Sequence, residues 1–143
     1  MLLATYLRFK LIESQSLWYD EGNSAKMIFR SAIEIVSASA ADVHPPGYYL
    51  LLKVWSGMMG GSEFALRSLS AFAGVVAVSG IYLIGKQIGN YVVGSLAAIL
   101  GSIHPSLVYY SQEVRMYMLC TLLGIVLVYS SIRLIEASKT NSV

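Results

Sequence analysis

Long runs of apolar residues alternate with short polar stretches, and the period of the apolar positions changes along the chain. Three runs, residues 68–85, 91–110 and 116–132, carry no charge and are long enough to cross or nearly cross a bilayer as helices. Arg67 and Lys86 bracket the first, Gly89-Asn90 makes the turn into the second, and Arg133 closes the third. His104-Pro105 interrupts the second near its far end. Residues 1–7, MLLATYL, are too short to span and read as the last turns of a helix, with Arg8 and Lys10 at its membrane edge.

Residues 13–66 follow a different rule. Ala25, Ile28, Phe29, Ala32, Ile35 and Val36 recur at helical spacing, while Lys26, Arg30 and Glu34 share the other side at i, i+4. This pattern predicts one amphipathic helix from Asp20 to about Val36, with Asp20 as N-cap and Glu21 in the first turn. Pro45-Pro46 can start a second helix, from Gly47 to Met59, stopped by Gly60-Gly61. It is too short to span, has Lys53 at its centre, and carries Tyr48, Tyr49 and Trp55, residues suited to the interfacial zone. The expected fold is all-α: a polytopic membrane helical bundle with two interfacial helices in an extracytoplasmic loop.

Composition sharpens this picture. Of 143 residues 56% are hydrophobic and only 13% charged, about half the charge of an ordinary soluble domain. Six of the eight acids, Glu13, Asp20, Glu21, Glu34, Asp42 and Glu63, precede the first uncharged run. A net charge of +2 without a basic run gives no nucleic-acid footprint. Cys120 is the single cysteine and forms no internal disulfide. The glycines match neither nucleotide-binding fingerprint.

Counting the spans places residues 13–66 and the 104–115 segment on one membrane face, and Lys86, Arg133 and Lys139 on the other, the cytoplasmic one by the positive-inside rule. The first face thereby collects Asp20, Glu21, Asp42, His44, Lys53, Arg67, Glu113 and Arg115. Taken singly, each has an ordinary reading. Asp20 can be a helix cap, Arg67 can snorkel at a span end, and His44 can be a loop residue. Glu113 and Arg115 lie between two apolar runs, where ionisable residues face a cavity or a partner. Acids mixed with arginines at headgroup level suit a phosphorylated lipid and a polar second substrate.

In order along the chain stand SLWYDEG, HPPGYYLLLKVW, GGSEFALRSLSA and YYSQEVRMYML. This succession resembles the N-terminal part of GT-C type membrane glycosyltransferases. It is most similar to the family-39 group of protein O-mannosyltransferases, lipid A aminoarabinose transferases and related bacterial enzymes. The resemblance implies transfer of a sugar from a polyprenyl-phosphate donor to a hydroxyl acceptor, on the extracytoplasmic face of a multi-pass protein of the cell membrane. It implies Asp20 as catalytic base with Glu21 beside it, Asp42 and His44 near the donor, and Arg67 and Arg115 facing the carrier phosphate. Lys53 and Glu113 join the candidate substrate-binding set. A divalent ion is a possible cofactor, with Asp20, His44 and Glu113 as candidate ligands. The family's larger size implies that this chain is a fragment, inactive alone. The alternative is a non-catalytic membrane module that binds a polyprenyl-phosphate lipid or serves as a small subunit of a membrane complex; a small transporter subunit fits less well, since the charges cluster at one membrane edge.

Overall fold

A computed structural model describes residues 1–41 and 44–140. It is helical throughout: α1 (Leu2–Phe9), α2 (Tyr19–Met27), α3 (Ala32–Ala40), α4 (Gly47–Met59), α5 (Glu63–Ile88), α6 (Tyr91–Ile103), α7 (Pro105–Ser111) and α8 (Tyr117–Thr140). Two helices are long and apolar enough to cross a membrane, Glu63–Ile88 and Tyr117–Lys139. A third crossing is possible by length if α6 and α7, bent by 59° at their junction, act as one broken span.

The expected single helix from Asp20 to Val36 is two helices. Ser31 stops the first by capping the second: its Oγ accepts from the Glu34 N–H, and the Glu34 carboxylate accepts from the Ser31 N–H at 2.7 Å. This reciprocal capping box satisfies N-terminal donors that a continuous helix would not expose. The start of α2 also differs from expectation. Trp18 is the N-cap residue, and Asp20 lies one residue inside the helix. Glu21, in the first turn, accepts from the Trp18 N–H at 3.4 Å.

Helix α5 is the hub, packed against α1, α4, α6, α7 and α8. It begins a turn before the uncharged run, where the Ser62 hydroxyl accepts from the Ala65 N–H, so Arg67 lies within the helix. Helix α4 docks on it through Trp55, whose indole N–H is shared between the Ala65 carbonyl at 2.9 Å and Ser68 Oγ at 3.1 Å. One core cluster joins Ile35, Tyr48, Tyr49, Leu52 and Leu66 to Val114 and Met116, tying α3 and α4 to the α7–α8 connection. Helix α8 continues past Arg133, beyond the expected end of the third run.

The α5–α6 hairpin depends on small residues. Asn90 caps α6 by accepting from the Val92 and Val93 N–H groups. A Cβ on Gly94 would stand 2.8 Å from the Tyr82 carbonyl oxygen and 3.0 Å from the Lys86 nitrogen, both backbone atoms of α5. Such contact permits close helix packing but admits no side chain. Gly94→Val is therefore expected to lower stability by about 1–3 kcal/mol through overpacking, read as an earlier midpoint in denaturant-induced unfolding of the detergent-solubilised protein. Gly22→Ala, where a Cβ meets nothing within 4 Å, serves as control and should shift it far less.

Candidate functional site

Two arginines of similar sequence setting do different things. Arg67 is buried, and each of its five N–H groups has an acceptor. Nε donates to Glu21 Oε1 at 2.9 Å, and Nη2 donates to Glu21 Oε2 at 2.6 Å and to the Ser16 carbonyl at 3.4 Å. Nη1 donates to the Ile12 and Gln15 carbonyls at 2.8 and 2.7 Å. Glu63 approaches Nη1 at 4.0 Å, one turn earlier on the same helix. Glu21 is equally committed. Its carboxylate is 1% exposed and also accepts from the Val114 N–H at 2.8 Å.

This bidentate pair links three segments: the 12–16 loop, the first turn of α2, and the 113–115 strip between α7 and α8. Burying two charges is costly, and the fork-on-carboxylate geometry with five satisfied donors offsets that cost. Arg67 has no N–H left for a phosphate, and Glu21 has no oxygen facing outward for a proton.

Arg115 is placed on the same side but is less saturated. Its Nη2 lies 3.3 Å from His44 Nε2, 3.4 Å from Tyr117 Oη and 3.9 Å from Asp20 Oδ2. The guanidinium also stands over the Tyr117 ring at 5.5 Å. Its Nε is buried with no hydrogen-bond partner among the described residues. Asp20, by contrast, keeps 37% of its side chain exposed. Residues 20, 44 and 115, far apart in the chain, thus meet at one place.

Glu113 faces elsewhere. With Glu21, Arg67, Trp18, Tyr109 and Gln112 it lines a cleft of about 580 Å³ at the end of α1. Burial pushes its carboxyl above the ordinary glutamate value, and the Glu21 charge adds to the rise, opposed by Tyr109, Arg115 and Arg67. Lys53 is not brought to either group. Its ammonium donates to the Ile28 carbonyl at 2.9 Å, in a separate groove with Phe29, Ser56 and Gly61. Asp42 lies outside the described residues.

Among the described residues no three His, Cys, Asp or Glu side chains gather as a metal-binding group. Asp20 and His44 both approach the Arg115 guanidinium, a cation standing where an ion would have to sit, and Glu113 faces the other cleft. The donor set does not fit a divalent ion.

One buried residue was not anticipated. Arg8, expected at a membrane edge, has no exposed surface and packs into the bundle. Its only sequence signal is position, a cation two-thirds along an otherwise apolar segment.

Two outcomes test this geometry. Glu21→Gln removes one charge of a buried pair and should destabilise the protein by about 3–5 kcal/mol, whereas replacing both Glu21 and Arg67 by Met should cost less than that single change; chemical unfolding of the three proteins in detergent decides. The raised Glu113 pKa means that the folded state binds a proton more readily than the unfolded chain. Its contribution to stability is fully present below the ordinary glutamate value near 4.5 and is lost as pH rises through the elevated folded value. Glu113→Gln should remove that descending part of the stability–pH curve.

A family model described as dolichyl-phosphate-mannose-protein mannosyltransferase matches residues 43–142, a range that holds His44, Arg67, Glu113 and Arg115 and begins after Asp20 and Glu21. No curated protein and no solved structure matches the chain. With most of its length covered by that model, and with its apolar helices, the chain belongs to the membrane-bound dolichyl-phosphate-mannose-protein mannosyltransferase family.

Proposed function

We propose that the chain forms part of the transfer site of a glycosyltransferase, in which a sugar passes from a polyprenyl-phosphate carrier to a hydroxyl acceptor. The observation that carries this reading is the meeting of Asp20 and Arg115, with a buried Arg115 Nε that has no partner among the described residues. The reaction needs a base at the acceptor and positive charge at the leaving phosphate, and these two side chains supply them at adjoining positions.

In the proposed step the acceptor oxygen attacks the anomeric carbon from the face opposite the carrier. The new C–O bond forms as the bond to the carrier phosphate breaks, so configuration inverts. Asp20 takes the acceptor proton, and the polyprenyl phosphate leaves with the bonding electron pair. Arg115 offers a planar fork to the phosphate oxygens, where charge grows. His44 and Tyr117 hold the fork. Glu21, filled by Arg67 and backbone donors, acts as the scaffold that fixes Asp20 rather than as a second base.

The same reading places the site on the extracytoplasmic face of the cell membrane, in a multi-pass protein. Lys86, Arg133 and Lys139 stand at the opposite ends of α5 and α8 from Asp20 and Arg115, which supports that orientation through the positive-inside rule.

The full gene product, assayed in membranes with a polyprenyl-phosphate-linked sugar donor, tests the reading. Asp20→Asn should reduce turnover by about 10²–10⁴-fold, the usual worth of a general base, with membrane insertion unchanged. Arg115→Ala should weaken donor use strongly. Full transfer by Asp20→Asn would contradict the role of Asp20, and binding of the donor lipid without any transfer by the unmodified protein would favour a non-catalytic lipid-binding module.

A further inference from the structure

Arg8 is a fully buried cation whose hydrogen-bond acceptors among the described residues are all main-chain carbonyls, with Nε left unpaired. Nη1 donates to the Ala4 carbonyl of its own helix at 3.2 Å and to the Ser102 carbonyl at 3.3 Å; Nη2 donates to the Gly101 carbonyl at 3.2 Å. Gly101 and Ser102 belong to the last turn of α6, where carbonyls lack intrahelical donors and the helix dipole is negative. Those carbonyls are left open because His104-Pro105 breaks the helix: Pro105 has no N–H for Gly101, and the extended backbone at His104 turns the chain away from Ser102. Arg8 thus supplies both the missing donors and the compensating charge at the 59° bend between α6 and α7.

The far end of α7 returns the contact. The Gln112 carboxamide Nε2 donates to the Leu7 and Lys10 carbonyls at 3.0 and 2.9 Å and approaches the Arg8 carbonyl at 3.4 Å. It therefore caps the C-terminus of α1, as Arg8 of α1 caps the C-terminus of α6. Between the two caps, α5 contributes Gly74. A Cβ there would lie 2.7 Å from Arg8 Nε and would overlap Ser111 Oγ. Four helices meet at one guanidinium only because this position is glycine.

We infer that Arg8 and Gln112 form a reciprocal latch that fixes the bent α6–α7 segment against α1 and thereby positions the strip 113–115. Gln112 is the residue before Glu113, and the Val114 N–H that follows is the one held by Glu21. The strip is pinned at Gln112 by the latch and at Val114 by the Glu21–Arg67 pair, with Arg115 carried at its end. Arg8 and Gln112 are positioning residues. Their importance for transfer rests on the reading of Arg115 given above, whereas the latch itself can be tested without any transfer assay.

The test uses thiol protection in the full gene product with Cys120 replaced by Ser. Ser111, fully buried beside Arg8, is changed to Cys as the near reporter, and Ser39, buried on α3, is changed to Cys in a second protein as the far reporter. Reaction with a membrane-impermeant maleimide should be slow for both. Arg8→Met or Gln112→Glu should accelerate labelling at position 111 by at least about tenfold, roughly the effect of one or two lost hydrogen bonds, and leave position 39 unchanged. The double variant should label position 111 no faster than about the faster single one, because two parts of one latch do not act additively. Unchanged protection at position 111, equal exposure of both reporters, or fully multiplicative effects would each overturn the latch. If Arg8→Met fails to insert, Gln112→Glu alone decides, since its partly exposed side chain leaves the core intact. Loss of protection without loss of transfer would separate the latch from the proposed chemistry and contradict the positioning role.

Discussion

Two charges that neutralise each other out of water organise this end of the molecule. The Glu21–Arg67 pair joins a surface helix to the central apolar helix, and the same carboxylate reaches the strip that links α7 to α8. A pair of this kind adds little net stability relative to apolar residues of the same size, because desolvation consumes much of the attraction. Its value is geometric. A guanidinium with five satisfied donors has one arrangement, so the loop before α2, the start of α2 and the 113–115 strip are held in one register. Asp20 and Arg115 inherit their proximity from that register.

The buried charges differ in what they meet. Arg67 directs all five N–H groups to carbonyls or a carboxylate, and Arg8 directs Nη1 and Nη2 to carbonyls while its Nε has no acceptor among the described residues. Arg115 is nearly as buried as Arg67, but its guanidinium meets the side chains of His44, Tyr117 and Asp20 rather than main-chain carbonyls. Likewise Glu21 is enclosed by donors while its neighbour Asp20 is solvated. Adjacent residues of the same charge thus have opposite fates because helix geometry turns successive side chains about 100° apart.

Much of the framework was legible in the sequence. The double glycine ending α4, Asn90 at the start of α6 and the His104-Pro105 break act through local chemistry, so their effects can be read without tertiary knowledge. Counting spans put eight charged or titratable residues on one face; of these the structure brings Asp20, His44 and Arg115 together and places Lys53 and Glu113 elsewhere. Three features were not read. The break between α2 and α3 had a signal in Ser31-Ala-Ile-Glu34, a capping box hidden under a continuous apolar stripe. The roles of Glu21 and Arg67 had none, since pairing across 46 positions depends on packing. Arg8 was misplaced because proximity to the end of an apolar segment suggests solvent, and only the broken end of α6 explains a cation in the interior.

The most direct measurement is crosslinking between cysteines placed at positions 20 and 115, with Cys120 replaced by Ser, using a short bifunctional maleimide in native membranes. The account predicts rapid crosslinking when Glu21 is present and its loss when Glu21 is replaced by Met. Failure of the two positions to crosslink with Glu21 intact, or labelling that assigns them to opposite sides of the membrane, would contradict it.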